Sequence, residues 1–404
     1  MNSSVVQLYR PGAVQLAALP PLALYIHLPW CLKKCPYCDF NSHEWGAAAG
    51  QTGAMPEQAY LAALRADLEQ SLPLIWGRPV HSVFIGGGTP SLFSPAGIDQ
   101  LLSDVRALVR LEADAEITLE ANPGTFEKDR FRQFRQAGVT RLSIGVQSFN
   151  DRFLVALGRV HNAQQARAAV AEAAQCFDTF NIDLMYALPG QSLGDLNMDL
   201  DVALGFNPPH LSVYHLTLEP NTYFASHPPV VPDEDTAYDM LDQITARTAA
   251  AGWARYEVSA YARAGHRCWH NWNYWQFGDY LGIGAGAHSK LSFAHRVVRQ
   301  VRWREPKQYM DNTARGQAVS SETEVSAQDL PFEFMLNALR LRDGFDLSLF
   351  SERTGLPTQR LQAALLQAQR QGWLERQGNQ VRPTERGFDF LSDLQALFLP
   401  EPPR

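Results

Sequence analysis

From Leu22 onward the chain alternates short apolar runs with longer stretches whose apolar residues recur every three or four positions. The short runs are Leu22–His27, Ser82–Ile85, Ile117–Glu120, Arg141–Ile144, Phe180–Met185 and His210–Tyr214. Runs this short and this apolar predict β-strands covered on both faces. The stretches between them, Glu57–Leu72, Pro95–Val109, Lys128–Gln136, Ala163–Gln175 and Leu193–Leu204, read as helices, and a sixth, Asp233–Ala251, follows the last strand. Pro95 suits a helix start and Gly138 a helix stop. Six β/α repeats predict a parallel sheet with right-handed crossovers. Chemically loaded residues recur just after the strands, so a partial (β/α)6 barrel is expected, with its site at the C-terminal strand ends.

Beyond Ala251 this rhythm stops. Residues 253–295 are dense in aromatics, among them Trp253, Tyr256, Trp269, Trp272, Tyr274 and Trp275. Residues 331–397 read as a small helical module: helices at Phe332–Leu341 and Thr358–Gln371, a Gly355-Leu356-Pro357 turn, and a wing-like strand at Gly372–Arg376. The expected divisions are an N-terminal segment 1–21, a barrel 22–250, an aromatic-rich segment 251–330 and a winged-helix-like module 331–404. The fold class is therefore α/β with a mixed α+β C-terminal region.

A winged helix invites a DNA-binding reading, but Ser351–Leu394 holds six arginines against five acids. That is too little charge for phosphate-driven affinity, and a net charge of −7 over 404 residues argues the same way. No nucleic-acid partner is expected. No apolar run reaches membrane-spanning length, which excludes membrane insertion by a helix. The start of the chain lacks a signal-peptide pattern: Arg10 is its one basic residue, and Pro11, Pro20 and Pro21 interrupt its apolar stretch. Five cysteines, three of them clustered, suit a reducing cytosol rather than a disulfide framework.

The clustered three carry the chemistry. Cys31, Cys35 and Cys38 stand in C-x3-C-x2-C spacing directly after the first strand. Three thiolates on one loop can each take one iron of a 4Fe–4S cube and leave the fourth iron open to another ligand. A zinc knuckle completed by His43 is the competing reading. After the second strand come Gly86-Gly87-Gly88-Thr89-Pro90, and at the end of the third stands Glu120. Gln147 follows the fourth, and Asp183 lies within the fifth. A glycine run lets backbone approach a ligand closely. Glu120 can accept hydrogen bonds from ribose hydroxyls. Gln147, Arg159 and Asp183 can fix a carboxylate, an adenosyl group or a second ligand, although Arg159 also reads as a surface charge and Asp183 as a bridge between strand ends.

In the aromatic segment, His270 of Cys268-Trp269-His270-Asn271-Trp272-Asn273-Tyr274-Trp275 is a candidate axial ligand for haem, with Cys268, Tyr274 and His288 as competitors. The same aromatics read equally well as core. Arg296, Arg299, Arg302 and Arg304 read as a solvated hairpin or as holders of haem propionates.

The cysteine loop with GGGTP resembles the radical S-adenosylmethionine superfamily. The wider set of YIHLPWC, CPYCDFNS, FIGGGTPS, EANPG, SIGVQSF, NIDLMYALPGQ, HNWNYW and GIGAGAHS resembles the HemW haem chaperone family. That family has long been labelled oxygen-independent coproporphyrinogen-III-oxidase-like. The resemblance implies a 4Fe–4S cluster on Cys31, Cys35 and Cys38, with S-adenosylmethionine at its open iron. It places Tyr25, Gly87, Glu120 and Tyr37 against that molecule. It puts Gly88, Thr89, Gln147, Arg159 and Asp183 at positions that line a second such site in the related oxidase. It further implies haem handling by the HNxxYW motif, hence His270, and transfer of haem to an acceptor protein, one associated with a membrane included. A cytoplasmic location and a homodimer are among the expectations. The alternative is an enzyme, a coproporphyrinogen-III oxidase. Phe40 in place of a further oxidase cysteine, and only 21 residues before the first strand, favour the chaperone.

Overall fold

The computed structural model describes residues 14–46, 54–75, 77–125 and 129–400. The expected start of one helix at Lys128 and the first 13 residues of the N-terminal segment lie outside them. Six strands alternate with helices as the sequence pattern requires: β1 (Leu22–Leu28), β2 (Val80–Gly87), β3 (Leu111–Ala121), β4 (Arg141–Gln147), β5 (Thr179–Tyr186) and β6 (His210–His215). They lie side by side in chain order, every neighbouring pair parallel. The crossover helices include Glu57–Ile75, Pro95–Leu108, Arg130–Ala137, Ala163–Cys176 and Leu193–Gly205. Several begin on side-chain caps: the Ser94 hydroxyl accepts from the Gly97 amide, and Asn162 and Ser192 each form a capping box.

The aromatic-rich region continues this sheet rather than standing apart from it. On one side, β8 (Ala260–Ala262) pairs antiparallel with β6 and carries β7 (Ala254–Arg255) on its outer edge. On the other, β9 (Asp279–Ile283) pairs parallel with β1. An antiparallel run of β10 (His288–Phe293), β11 (Arg296–Arg302) and β12 (Val319–Glu324) follows. The result is one open twelve-stranded sheet, ordered β12-β11-β10-β9-β1-β2-β3-β4-β5-β6-β8-β7. The Trp269–Trp275 helix lies against β1, β2 and β9.

A main apolar core fills the space between this sheet and its helices, and a second forms around Phe334, Phe345, Phe350 and Leu365. The second core belongs to helices within Leu330–Ala396 and a three-stranded sheet of Phe345–Asp346, Leu374–Gln377 and Gln380–Pro383, the expected winged-helix-like module. Val14 and Leu16 join that core, and the Gln15 amide donates to the Gly355 carbonyl at 3.1 Å. The segment before β1 thus serves to tie the module to the sheet.

The strands are not apolar on both faces. Leu142, Ile144, Val146, Ile182, Leu184, Leu211 and Val213 face the helices, while the residues between them form polar rows on the inner face. One row runs Glu120, Ser143, Asn181, His210 in direct register across β3–β6. The next runs Gly145, Asp183, Ser212. The inside of this partial barrel is built to meet a polar ligand.

Of the four arginines at the β10–β11 hairpin, Arg296 and Arg304 are exposed as a solvated hairpin requires, while Arg299 and Arg302 depart from that reading. Arg302 is fully buried and held by Asp67, with Nη2 to Oδ1 at 3.1 Å. Arg299 pairs with Glu333 at 2.6 Å. Arg302 is no solvated charge and Arg299 is only partly exposed, and internal carboxylates already hold both, which leaves neither free for propionates.

Candidate functional site

The inner face opens into a cavity of about 350 Å³. Its lining gathers Cys31, Cys35, Tyr37 and Cys38 from the loop after β1, and Gly87, Gly88 and Thr89 from the end of β2. Glu120 joins from β3, Gln147 from β4, Arg159 from the loop after it and Asp183 from β5. Eleven of the thirteen residues singled out from the sequence share this lining. Tyr25 and His270 are not part of it. Tyr25 stands behind, donating its hydroxyl to His27 Nδ1 or accepting from it at 3.0 Å.

The glycine run has a local cause. Gly87 adopts φ +120, and a Cβ on Gly88 would meet the Trp30 carbonyl oxygen at 2.7 Å. The Thr89 amide donates to that same carbonyl at 2.8 Å. Backbone-to-backbone contact here holds the cysteine loop over the strand ends, and any larger side chain would push the loop away.

Each sulfur has a polar side chain beside it. The Thr89 hydroxyl donates to Cys31 Sγ at 3.4 Å, Arg159 Nη1 donates to Cys35 Sγ at 3.6 Å, and Ser42 Oγ lies 3.6 Å from Cys38 Sγ. Arg159 is fixed by donating from Nη2 to the Gly145 carbonyl at 2.8 Å, so it is a cavity residue and not a surface charge. Among the described residues no three His, Cys, Asp or Glu side chains converge to hold a single metal ion. His43 stands outside the cavity lining, its ring turned to the Arg304 backbone. A zinc knuckle therefore lacks its fourth ligand. Three thiols spread along one wall, each beside a hydrogen-bond donor, suit a polynuclear cluster.

Burial sets the protonation of the acids. The Glu120 carboxyl is pushed up to about 8, first by burial and then by Asp183 nearby, against the Gly87 amide that donates to its Oε2 at 3.2 Å. Asp183 is also raised by burial, opposed by hydrogen bonds from Ser143 at 2.9 Å and Asn181 at 2.7 Å. Gln147 sits at φ +67 just after the break in β4–β5 pairing, a costly conformation for a side-chain-bearing residue at the cavity wall. Two acids whose protonated form burial favours, among hydroxyls, amides and two guanidinium groups, can both donate to and accept from a hydroxylated ligand.

The haem-ligand expectation for His270 is not met by its surroundings. His270 is 1% exposed. Its Nδ1 lies 3.2 Å from Ser82 Oγ and its Nε2 3.1 Å from Tyr274 Oη. Burial drives its pKa down to about 3. Both nitrogens are engaged inside the core, which also disposes of Tyr274 as a free ligand, and Cys268 is buried. His288 is exposed but outside the cavity lining. The residue of this motif that does face the cavity is Asn271.

Five further lining residues escaped the sequence reading: Arg141, Ser143, Asn181, His210 and Ser212. Their signal was present as polar residues at every second position of the fourth, fifth and sixth strands. Reading those strands as covered on both faces by apolar groups concealed it.

A family model for the radical SAM superfamily matches residues 25–203, and one for the HemN C-terminal domain matches residues 325–390. The architecture is likewise that of coproporphyrinogen III oxidase (HemN) from Escherichia coli, described as a radical SAM enzyme, with a TM-score of 0.79. That match covers 94% of this chain and 90% of that one at 24% identity, a likeness of fold. The sequence goes further. The chain is 47% identical to the heme chaperone HemW of Escherichia coli, over 96% of its own length and 100% of the relative's. It is 46% identical to the heme chaperone HemW of Haemophilus influenzae, over 95% and 99% of the two chains. With likeness of this extent, the chain belongs to the HemW haem chaperone family.

Proposed function

We propose that this protein binds haem and passes it to an acceptor protein, on a scaffold that carries a 4Fe–4S cluster and S-adenosylmethionine. The observation that carries the reading is the near full-length identity with heme chaperones, together with a cavity wall whose donor set matches such a cluster. Cys31, Cys35 and Cys38 would hold the cluster, which supplies a redox centre with one iron open to an amino-acid ligand. Arg159, Thr89 and Ser42 each direct a polar group at one sulfur and so tune its charge. Gly87 and Glu120 bound the space beside the loop, with the Glu120 carboxyl placed to hydrogen-bond hydroxyls of the nucleoside part. Tyr37, Gly88, Gln147 and Asp183 close the remaining walls, and Tyr25 supports them through His27.

For haem, the buried His270 does not fit as a ligand. The histidine at the cavity mouth is His215, exposed at the end of β6, packed edge-on to Tyr186 at 5.1 Å, beside Tyr214, which is 41% exposed. An imidazole beside one exposed aromatic, Tyr214, and one buried one, Tyr186, matches what haem requires. We place haem at this mouth. A chaperone with no porphyrin turnover agrees with Phe40, 62% exposed, in the loop. The acceptor, including one bound to a membrane, and a homodimer belong to this proposal. Among the described residues no helix is long and apolar enough to cross a membrane.

Anaerobic reconstitution followed by haem titration tests the reading. The protein should hold about four irons per chain in one cluster by cubane ligation, then bind haem with a Soret band. His215→Ala should shift or weaken that band and His270→Ala should not. Failure of the reconstituted wild type to bind haem would remove the chaperone reading.

A further inference from the structure

The cavity does not end at the cysteine loop. Its lining runs along β4 from Gln147 down to Arg141, a span of roughly 20 Å at strand rise. The closed end is floored by the Trp269–Trp275 helix, from which Asn271 reaches the lining. Glu116 anchors that helix, its Oε1 accepting from the Trp269 amide at 3.0 Å and from the His270 amide at 3.4 Å.

Arg141 stands at this closed end with 2% of its side chain exposed. Its nearest carboxylate is Glu116, Nε to Oε2 at 4.0 Å, beyond hydrogen-bond reach. Nε is buried without a partner, and neither Nη makes a hydrogen bond to any described residue. The groups around it are already committed to one another. Both Asp183 oxygens are taken by Ser143 and Asn181, and the Asn181 carbonyl oxygen accepts from Ser212 at 3.0 Å and meets His210 Nδ1 at 2.7 Å. His210 Nε2 meets the Tyr256 hydroxyl at 2.9 Å. A fully charged group with five donors, buried and almost unbonded, is costly unless an anion completes it. Among the described residues Glu116 supplies charge at 4.0 Å but no hydrogen bond, and the guanidinium lines the open volume of the cavity.

We propose that Arg141, with Asn271 of the flooring helix on the same lining, forms a carboxylate-binding subsite at the closed end of the cavity. A planar guanidinium takes a carboxylate through two parallel hydrogen bonds, and an amide can donate a third. The body of the ligand then lies along the polar rows of β3–β6, between this subsite and the cysteine loop. The subsite gives the HNWNYW motif a second role: His270 locks the helix into the core, and Asn271 reads the ligand. The proposal rests on the cavity being a ligand site, but requires neither cluster nor haem.

The test uses the full-length chain and propionate as the probe, with propionamide as a neutral isostere and chloride at matched ionic strength. Propionate should raise the thermal midpoint of the wild type with saturating dependence, and propionamide should not. Arg141→Gln should abolish the response. Asn271→Asp puts a carboxylate into the proposed subsite, so it should raise the midpoint without propionate and also abolish the response. Should Arg141→Gln fail to fold, Asn271→Asp still decides. An unchanged propionate response in either variant, or none in the wild type, overturns the subsite. Haem and its dimethyl ester then identify the source. Binding of the ester weaker by on the order of tenfold or more in wild type, the value of a charged hydrogen bond, assigns a haem propionate. Equal binding assigns a separate small carboxylate. Absence of any haem binding would defeat the chaperone reading and leave the propionate result standing.

Discussion

Replacing Arg302 by methionine separates a structural arginine from a haem-holding one. Arg302 is fully buried at the end of β11 and bonds to Asp67 on the Glu57–Ile75 helix through Nε at 3.2 Å and Nη2 at 3.1 Å. Its other donors reach Ser71 at 2.9 Å, Gln300 at 2.9 Å and Ser289 at 3.2 Å. Asp67 in turn accepts from the Tyr309 hydroxyl at 2.9 Å and the Gly284 amide at 3.2 Å. Methionine leaves the Asp67 charge buried with only neutral donors. The expected loss is ~3–5 kcal/mol, most of it the uncompensated carboxylate rather than the lost attraction. Adding Asp67→Leu removes that charge and should recover ~1–3 kcal/mol, a coupling typical of groups in one network. Urea unfolding followed by tryptophan fluorescence reads both variants. Haem affinity, measured on the folded fraction, should stay at the wild-type value. A destabilisation below ~1 kcal/mol with weakened haem binding would refute the argument and return Arg302 to the propionates.

Cys35→Ala should abolish the cluster, read as iron content and EPR signal, while far-ultraviolet circular dichroism stays close to wild type. An intact four-iron cluster in that variant would sink the ligand set. His270→Ala removes two buried hydrogen bonds, to Ser82 and Tyr274, and should cost ~2–4 kcal/mol in unfolding free energy with the Soret band unchanged. Without bound cofactors, Glu120 ionises near its ordinary value when unfolded but only at about 8 when folded. Its contribution to native stability is therefore greatest below that ordinary value and declines as pH rises to about 8, by ~2 kcal/mol once cavity water is allowed for. Glu120→Gln should remove that decline in a pH series of unfolding curves. Equal slopes in both proteins would show that Glu120 is solvated in the native state.

The order of strands and helices and the cysteine spacing were determined by the sequence alone, because both rest on local periods: two for a strand, 3.6 for a helix, and a few residues for a loop. The recurrence of Gly87, Glu120, Gln147 and Asp183 after successive strands was visible for the same reason, since parallel strands bring their C-terminal ends to one rim. Tertiary structure decided what depends on partners far along the chain. Arg302 looks like hairpin surface until Asp67, 235 residues away, is packed against it. His270 looks like a free imidazole until Ser82, 188 residues away, meets its ring. The register of β3 through β6 aligns Glu120, Ser143, Asn181 and His210 into one row, and no single strand carries that information. Burial and charge pairing are properties of the assembled core, and only the fold shows that Arg141 ends beside the cavity without a hydrogen-bond partner among the described residues.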